Sequence, residues 1–186
     1  MTGIGHNNGP TMEPGAGWRR HCWSRARREL LPAMPLEVIT YRMKRAQELG
    51  LDYKTYAGVR ASTGRDIVAF LFSSNALCLH RDPALGPAEA GKLAQVEGAV
   101  RLAAVYRPLD PSAVLARNPN ALDHAGVAPT VFDSWSETRA RLMSMTRAAR
   151  VPSDAVLLVG ATDLERGWCG TARLAGFVAA ERFFPA

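Results

Sequence analysis

A strand–turn–helix unit in the last third of the chain constrains the fold more than any other feature. Residues 156–159 form a short, wholly apolar run that stops at Gly160. A helix is predicted to follow, because Thr162 and Glu165 have the spacing of a capping box. An apolar strand that leads directly into a helix is typical of α/β folds with a buried parallel sheet. Ligands of such sheets bind beyond the carboxyl ends of the strands.

Two earlier apolar runs follow the same pattern. Residues 66–72 follow a group of turn residues, and residues 100–106 follow a helix predicted over residues 87–97. A longer helix, predicted over residues 135–149, precedes the strand at residues 155–159. Strands that alternate with helices of this length imply right-handed crossovers and a sheet covered on both faces. We therefore expect a three-layer, Rossmann-like α/β domain with a parallel sheet.

The long helix before the last strand has a clear start signal and a predicted apolar face. Ser134 and Glu137 form a second capping box at its amino end. Its apolar face is predicted to consist of Trp135, Leu142 and Met145, which recur at helical spacing.

The positive charge of the chain is concentrated near its amino end. Residues 1–60 contain 10 Lys and Arg against 5 Asp and Glu, whereas residues 61–186 contain 13 against 12. We therefore divide the chain into a disordered tail at 1–16, a basic helical arm at 17–61 and an α/β body at 62–186. The tail is rich in glycine, asparagine and proline. Arm and body are expected to form one folded unit.

The arm offers cationic contacts to an acidic protein partner or to the phosphates of nucleic acid. The tryptophans of its first helix, Trp18 and Trp23, could stack on bases. In the alternative interpretation the arginines only face water and the tryptophans pack on the body. The candidate contact residues are Arg19, Arg20, Arg25, Arg27, Arg28 and Lys54.

Two further helices are predicted in the second half of the arm. The first begins at Pro35 and ends at Gly50, and the second runs from its cap, Asp52, toward Arg60. The apolar stripe of the first helix comprises Leu36, Ile39, Met43, Ala46 and Leu49.

Residues 46–56 resemble the helix-turn-helix segment of DNA-binding regulators. Ala46 is small where the helices would cross, and Gly50 tolerates the backbone conformation of the turn. The resemblance implies that four side chains would face the major groove. The same spacing also occurs in ordinary helix pairs, so both interpretations stay open. The four side chains are Tyr53, Lys54, Thr55 and Arg60.

Polar residues follow each of the three predicted strands. They could together bind a small anionic or polar ligand, with help from the amino terminus of the last helix. The alternative is local: the serines and asparagine close a turn, and the threonine only caps its helix. These ligand-site candidates are Ser73, Ser74, Asn75, Arg107, Thr162 and Asp163.

The order of these pieces is similar to that of the haloacid dehalogenase-like superfamily. In that family the first strand ends at a nucleophilic aspartate, with a second acid nearby, and a late strand ends in Gly-Asp with a further acid. Here Phe72 and Ser74 stand at the first two acid positions, Ala161 stands at the third, and Glu165 matches the fourth. Phosphoryl transfer by that mechanism needs a carboxylate nucleophile and several oxygen ligands for magnesium. The resemblance therefore implies that the chain has the fold of this superfamily but lacks its catalytic activity.

The remaining composition argues against several other classes of protein. Cys22, Cys78 and Cys169 are odd in number and widely spaced, which favours a reducing compartment, and we expect the cytoplasm. No apolar run approaches the roughly 20 residues of a membrane span, so no membrane partner is expected. Cys78 and His80 lack a second pair of ligands, so no metal or cofactor is expected. Residues 118–129 are predicted to be a loop, either a partner surface or a connection.

These observations lead to one functional hypothesis and two alternatives. The hypothesis is a non-enzymatic binding or regulatory protein, whose basic amino-terminal helices contact an acidic partner. The first alternative is a nucleic-acid-binding regulator that uses the helix-turn-helix-like segment. The second is a hydrolase that acts on a small phosphorylated or polar substrate.

Overall fold

The computed structural model of the chain describes residues 17, 18, 22 and 34–185. The chain divides into two compact units, Met1–Ile39 and Thr40–Ala186. The tail predicted at residues 1–16 lies outside the described residues. So do five candidate partner contacts, namely Arg19, Arg20, Arg25, Arg27 and Arg28.

Five parallel strands form the sheet, in the order β3-β2-β1-β4-β5. The chain builds outward from the central strand β1 through β2 to β3, then crosses back to place β4 on the other side of β1. The carboxyl ends of β1 and β4 therefore flank the topological switch point, where ligands of such sheets bind. The strands are β1 Ala69–Ser73, β2 Val100–Val105, β3 His124–Val127, β4 Val156–Gly160 and β5 Gly176–Ala179.

Helices cover both faces of the sheet, as expected for a three-layer Rossmann-like fold. Alternate residues of β1 point to opposite faces. Phe70 and Phe72 join a core with α1, α2, α3, α4 and α7, whereas Leu71 joins a second core with α5 and α6. The helices are α1 Leu36–Glu48, α2 Tyr53–Thr63, α3 Pro87–Ala94, α4 Pro111–Arg117, α5 Trp135–Ala148, α6 Asp163–Ala172 and α7 Ala180–Phe183. Within the described part of the chain, no helix has both the length and the apolar character that a bilayer span requires.

The second half of the predicted arm packs into the same core as the sheet. Leu49 and Tyr56 are fully buried there, and Ala46 is nearly so. The phenol of Tyr56 donates to the Asp66 carboxylate at 2.8 Å, and the guanidinium of Arg45 donates to the same group at 3.1 Å. Residues from 40 onward are therefore integral to the α/β domain.

Several predicted elements are confirmed. Both capping boxes form, because Ser134 accepts from the amide of Glu137 and Thr162 accepts from the amide of Glu165. Asp52 caps α2 as predicted.

Three expectations were wrong. Part of the loop predicted at residues 118–129 is the strand His124–Val127, which was missed because an edge strand of four half-exposed residues gives no apolar run. Trp135 is 64% exposed, because α5 buries only residues of its second half, namely Leu142, Met145 and Thr146. In the stripe of α1, Leu36 and Met43 are exposed, and only Ala46 and Leu49 are buried.

Candidate functional site at the carboxyl edge of the sheet

Two serines at the carboxyl end of β1, Ser73 in the strand and Ser74 directly after it, hold the loop that follows. Ser73 and Ser74 are both buried. The Oγ atom of Ser73 accepts from the amide of Ala76 at 3.0 Å, which closes a turn. The Oγ atom of Ser74 accepts from the amide of Tyr106 at 3.1 Å and thereby ties this loop to the end of β2. Both hydroxyls therefore form structural hydrogen bonds at the carboxyl edge of the sheet.

Glu165 is the centre of the switch point. Its side chain is fully buried and bridges the loops that follow β1 and β4. Oε1 accepts from the side-chain amide of Asn75 at 2.9 Å. Oε2 accepts from the backbone amides of Ala161 at 2.6 Å and Thr162 at 3.0 Å. Because each of these groups donates, the arrangement suits an ionised carboxylate.

Tyr106 lies next to this carboxylate and completes its surroundings. Burial raises the pKa of the Tyr106 phenol well above its ordinary value, and the charge of Glu165 and a hydrogen bond to it raise that pKa further. The phenol therefore stays protonated and serves as a donor. Its ring also packs near the indole of Trp168, with the ring centroids 6.0 Å apart.

The hydrogen bonds of Glu165 occupy the position at which a ligand anion would bind. The amino terminus of a helix and the amides before it form a natural anion site in such folds. Here the carboxylate of Glu165 stands in the place of a ligand anion and accepts hydrogen bonds from two of those amides. Gly160 permits this closeness, since a Cβ atom there would stand 2.8 Å from the ring of Phe177 and 3.0 Å from Oε2 of Glu165.

Of the remaining ligand-site candidates, Thr162 contacts Glu165, whereas Asp163 and Arg107 do not. Thr162 caps α6 with its hydroxyl. The side chain of Asp163 is 98% exposed and pairs with Arg166 at 3.3 Å. Arg107 lines a separate recess of about 250 Å³ beyond β2 and β3, together with Thr130 and Arg141. The structure thus brings Asn75 and Thr162 together around Glu165 and places Arg107 elsewhere.

The helix-turn-helix-like pair exists, but some of its proposed reading residues are engaged within the chain. Lys54 is exposed. The hydroxyl of Thr55 donates to Asp52 at 2.6 Å, and the guanidinium of Arg60 lies 3.7 Å from the Asp66 carboxylate. Sequence reasoning could not anticipate the role of Asp66, because it lies outside the helix pair and precedes β1.

Two side chains that sequence reasoning considered for catalysis, Phe72 and Asp123, are engaged within the fold. Phe72, which the sequence resemblance aligns with a nucleophilic aspartate, is fully buried, and its ring centroid lies 5.6 Å from that of Phe70 and 5.4 Å from that of Phe183. Asp123 pairs with Arg101 at 2.9 Å. In the ranges that the structure describes, no group of three or more His, Cys, Asp or Glu residues could hold a metal ion.

The cysteines are expected to differ sharply in reactivity. Burial raises the pKa of the Cys169 thiol to about 11, and its Sγ donates to the carbonyl of Gly176 at 3.2 Å. At pH 8 only about one Cys169 thiol in a thousand is then ionised. Cys22 and Cys78 are exposed and are expected to react with Ellman's reagent in the native protein, whereas Cys169 reacts only in guanidinium. Three equally fast thiols in the native protein would contradict the buried environment of Cys169.

No family model, no curated protein and no solved structure matches this chain. Its function is therefore inferred from its own residues.

Proposed function

We propose that this protein is a non-enzymatic binding or regulatory protein whose basic amino-terminal segment contacts an acidic partner. The observation that carries the proposal is the hydrogen-bonding of Glu165 at the switch point. The donors that would receive a ligand there, the amides of Ala161 and Thr162, already bind this buried carboxylate. A domain whose switch point is occupied in this way can still bind partners through surfaces elsewhere on the fold.

The proposal includes a degenerate haloacid dehalogenase-like scaffold for the domain. The central position of β1 and the acid at Glu165 support this likeness. Phe72 has no nucleophilic atom and is part of an aromatic core. Ala161 has no oxygen ligand for magnesium in its side chain. These two residues make hydrolysis of a phosphorylated substrate the weaker hypothesis.

The charge distribution supports contact with an acidic partner through the arm. Residues 1–60 carry twice as many basic as acidic residues. In the described part of this segment, Arg45 and Arg60 pair with Asp66, so their charge is partly neutralised within the domain. Lys54 is exposed to solvent. Binding through such a surface is electrostatic and should weaken with salt.

The test compares two full-length variants that lose the same charge. The first carries Arg25→Gln, Arg27→Gln and Arg28→Gln in the arm. The control carries Arg81→Gln, Arg117→Gln and Arg147→Gln, which replace exposed arginines of the domain.

Fluorescence anisotropy at two salt concentrations would measure the binding of labelled polyglutamate. The arm variant should bind at least tenfold more weakly than the wild type at low salt, whereas the control should change about twofold or less. Equal losses in both variants would mean that net charge alone attracts the acidic polymer. That result would contradict a specific role for the arm.

Nucleic acid is the second candidate partner, and one described residue favours it. Trp18, which directly precedes the first arm arginines in the sequence, is 71% exposed, and tryptophan is a residue type on which bases stack. The same two variants should be titrated with duplex and single-stranded oligonucleotides. Oligonucleotide binding tighter than polyglutamate binding, lost in the arm variant alone, would replace the acidic protein partner with nucleic acid.

A further inference from the structure

A second surface with the features of a binding site lies at the carboxyl edge of the sheet, on the side of β2 and β3. The loop between β3 and α5 displays large apolar side chains to solvent. Phe132 is 94% exposed, Val131 is 68% exposed, and Trp135, which begins α5, is 64% exposed. Single exposed apolar residues are common, but adjacent bulky ones on one short loop are typical of interaction sites.

This loop is held in place by its own hydrogen bonds. Oδ2 of Asp133 accepts from the amide of Thr130 at 2.6 Å, and the amide of Asp133 donates back to the carbonyl of Thr130 at 3.2 Å. The guanidinium of Arg141, on α5, donates to Oδ1 of Asp133 at 3.1 Å. A loop that is already ordered loses little conformational entropy on binding, so its exposed side chains are pre-organised contacts.

A cationic recess adjoins the loop. It has a volume of about 250 Å³ and is lined by Arg107, Arg141, Thr130, Val127 and Ala128. Among the described residues Arg107 forms no ion pair, whereas Arg141 forms an ion pair with Asp133. The recess therefore has apolar walls and one cation without an internal partner.

We infer that this surface, formed by Val131, Phe132, Trp135 and the recess between Arg107 and Arg141, docks an acidic protein segment. A carboxylate of the segment would pair with Arg107, and a neighbouring bulky apolar side chain would pack on Phe132. Tryptophan and arginine are the residues that most often dominate protein–protein interfaces. The surface belongs to the α/β domain, so the inference is independent of the arm.

A protein segment fits this surface better than nucleic acid does. Proteins that follow a phosphate backbone typically neutralise about 6–10 phosphates, whereas the recess offers only Arg107 as a cation without an internal partner. Arg139 is also engaged, since its guanidinium lies 5.5 Å from the Trp135 ring and donates to the carbonyl of Thr171. The aliphatic side chains of Val127 and Val131 add apolar area that suits a peptide.

The test is selection of peptides from a random library displayed on phage, with the full-length protein as bait. Selected peptides should share an acidic residue next to a bulky apolar one. A synthetic copy of the best peptide should bind at least tenfold more weakly to Phe132→Ser and to Arg107→Glu. The control variants, Tyr41→Ser and Arg147→Glu, alter another exposed aromatic and another exposed arginine at other places and should change affinity less than twofold.

Several outcomes would overturn the inference. One is failure to select any peptide. Another is a selected peptide that binds Phe132→Ser and Arg107→Glu as well as the wild type. A third is tighter binding of single-stranded oligonucleotide that depends on Phe132 and Arg107. A fourth is self-association of the wild type, measured by sedimentation, that is lost in Phe132→Ser. Thermal unfolding of each variant at the wild-type temperature would show that the substitutions leave the fold intact.

Discussion

Replacing Phe72 by aspartate is expected to unfold the domain. Phe72 is fully buried, and its ring packs against those of Phe70, Phe183 and Phe184. Truncation of a buried phenylalanine to alanine alone costs about 3–5 kcal/mol. Aspartate adds an unpaired carboxylate within this aromatic core, which costs several kcal/mol more. The total is comparable with the entire free energy of unfolding of an ordinary domain, about 5–15 kcal/mol.

Circular dichroism in urea would measure this effect, and a second phenylalanine provides the matched control. Phe132→Asp is the same chemical change at a side chain that is 94% exposed, and it should leave the unfolding midpoint nearly unchanged. A Phe72→Asp variant that folds and hydrolyses phosphate esters with magnesium would contradict our placement of Phe72. It would indicate that the carboxyl end of β1 faces a working site.

Replacing Glu165 by glutamine is expected to destabilise the protein by about 1–3 kcal/mol. The carboxylate accepts from Asn75, Ala161 and Thr162, and glutamine can present only one oxygen to them. Its NH₂ group would then face a donor. Because Glu165 fastens the loop after β1 to the loop after β4, amide hydrogen exchange should also accelerate in both loops.

The second capping box offers a matched control for this prediction. Glu137 occupies the same position in α5 and bonds Ser134 in the same reciprocal way, but it is exposed. Hydrogen bonds from the Ser134 side chain and amide lower the pKa of Glu137, yet water can replace the lost partner in Glu137→Gln. Urea unfolding should therefore show a much smaller loss for Glu137→Gln. Equal losses in the two variants would mean that Glu165 acts only as a helix cap.

The parts of the fold that local chemistry determines were predictable from sequence. The strands β1, β2 and β4 are apolar except for Ser73 and Arg101, because both faces of the sheet are covered. Both capping boxes and the cap at Asp52 could be read from residue type and spacing. The three-layer α/β class followed from the alternation of these elements.

The features that the sequence did not predict depend mainly on contacts between residues that are distant in the chain. The burial of Glu165 could not be read from its capping box, since it also requires Asn75 to approach from a loop 90 residues earlier. The edge strands β3 and β5 contain only four residues each, and each pairs on one side only. The recess at Arg107 depends on Arg141, which lies on α5 and is distant from Arg107 in the sequence.

The central claim is that Glu165 occupies the position of a ligand anion at the switch point. An NMR titration of the full-length protein tests it most directly. Amide signals of Ala161 and Thr162 would be followed while magnesium and inorganic phosphate are added. Because both amides already donate to the buried carboxylate, we expect no saturable shift up to millimolar phosphate. Saturable shifts at these two amides, with a dissociation constant below about 1 mM, would show that the site accepts a ligand anion and would contradict a purely structural role for Glu165.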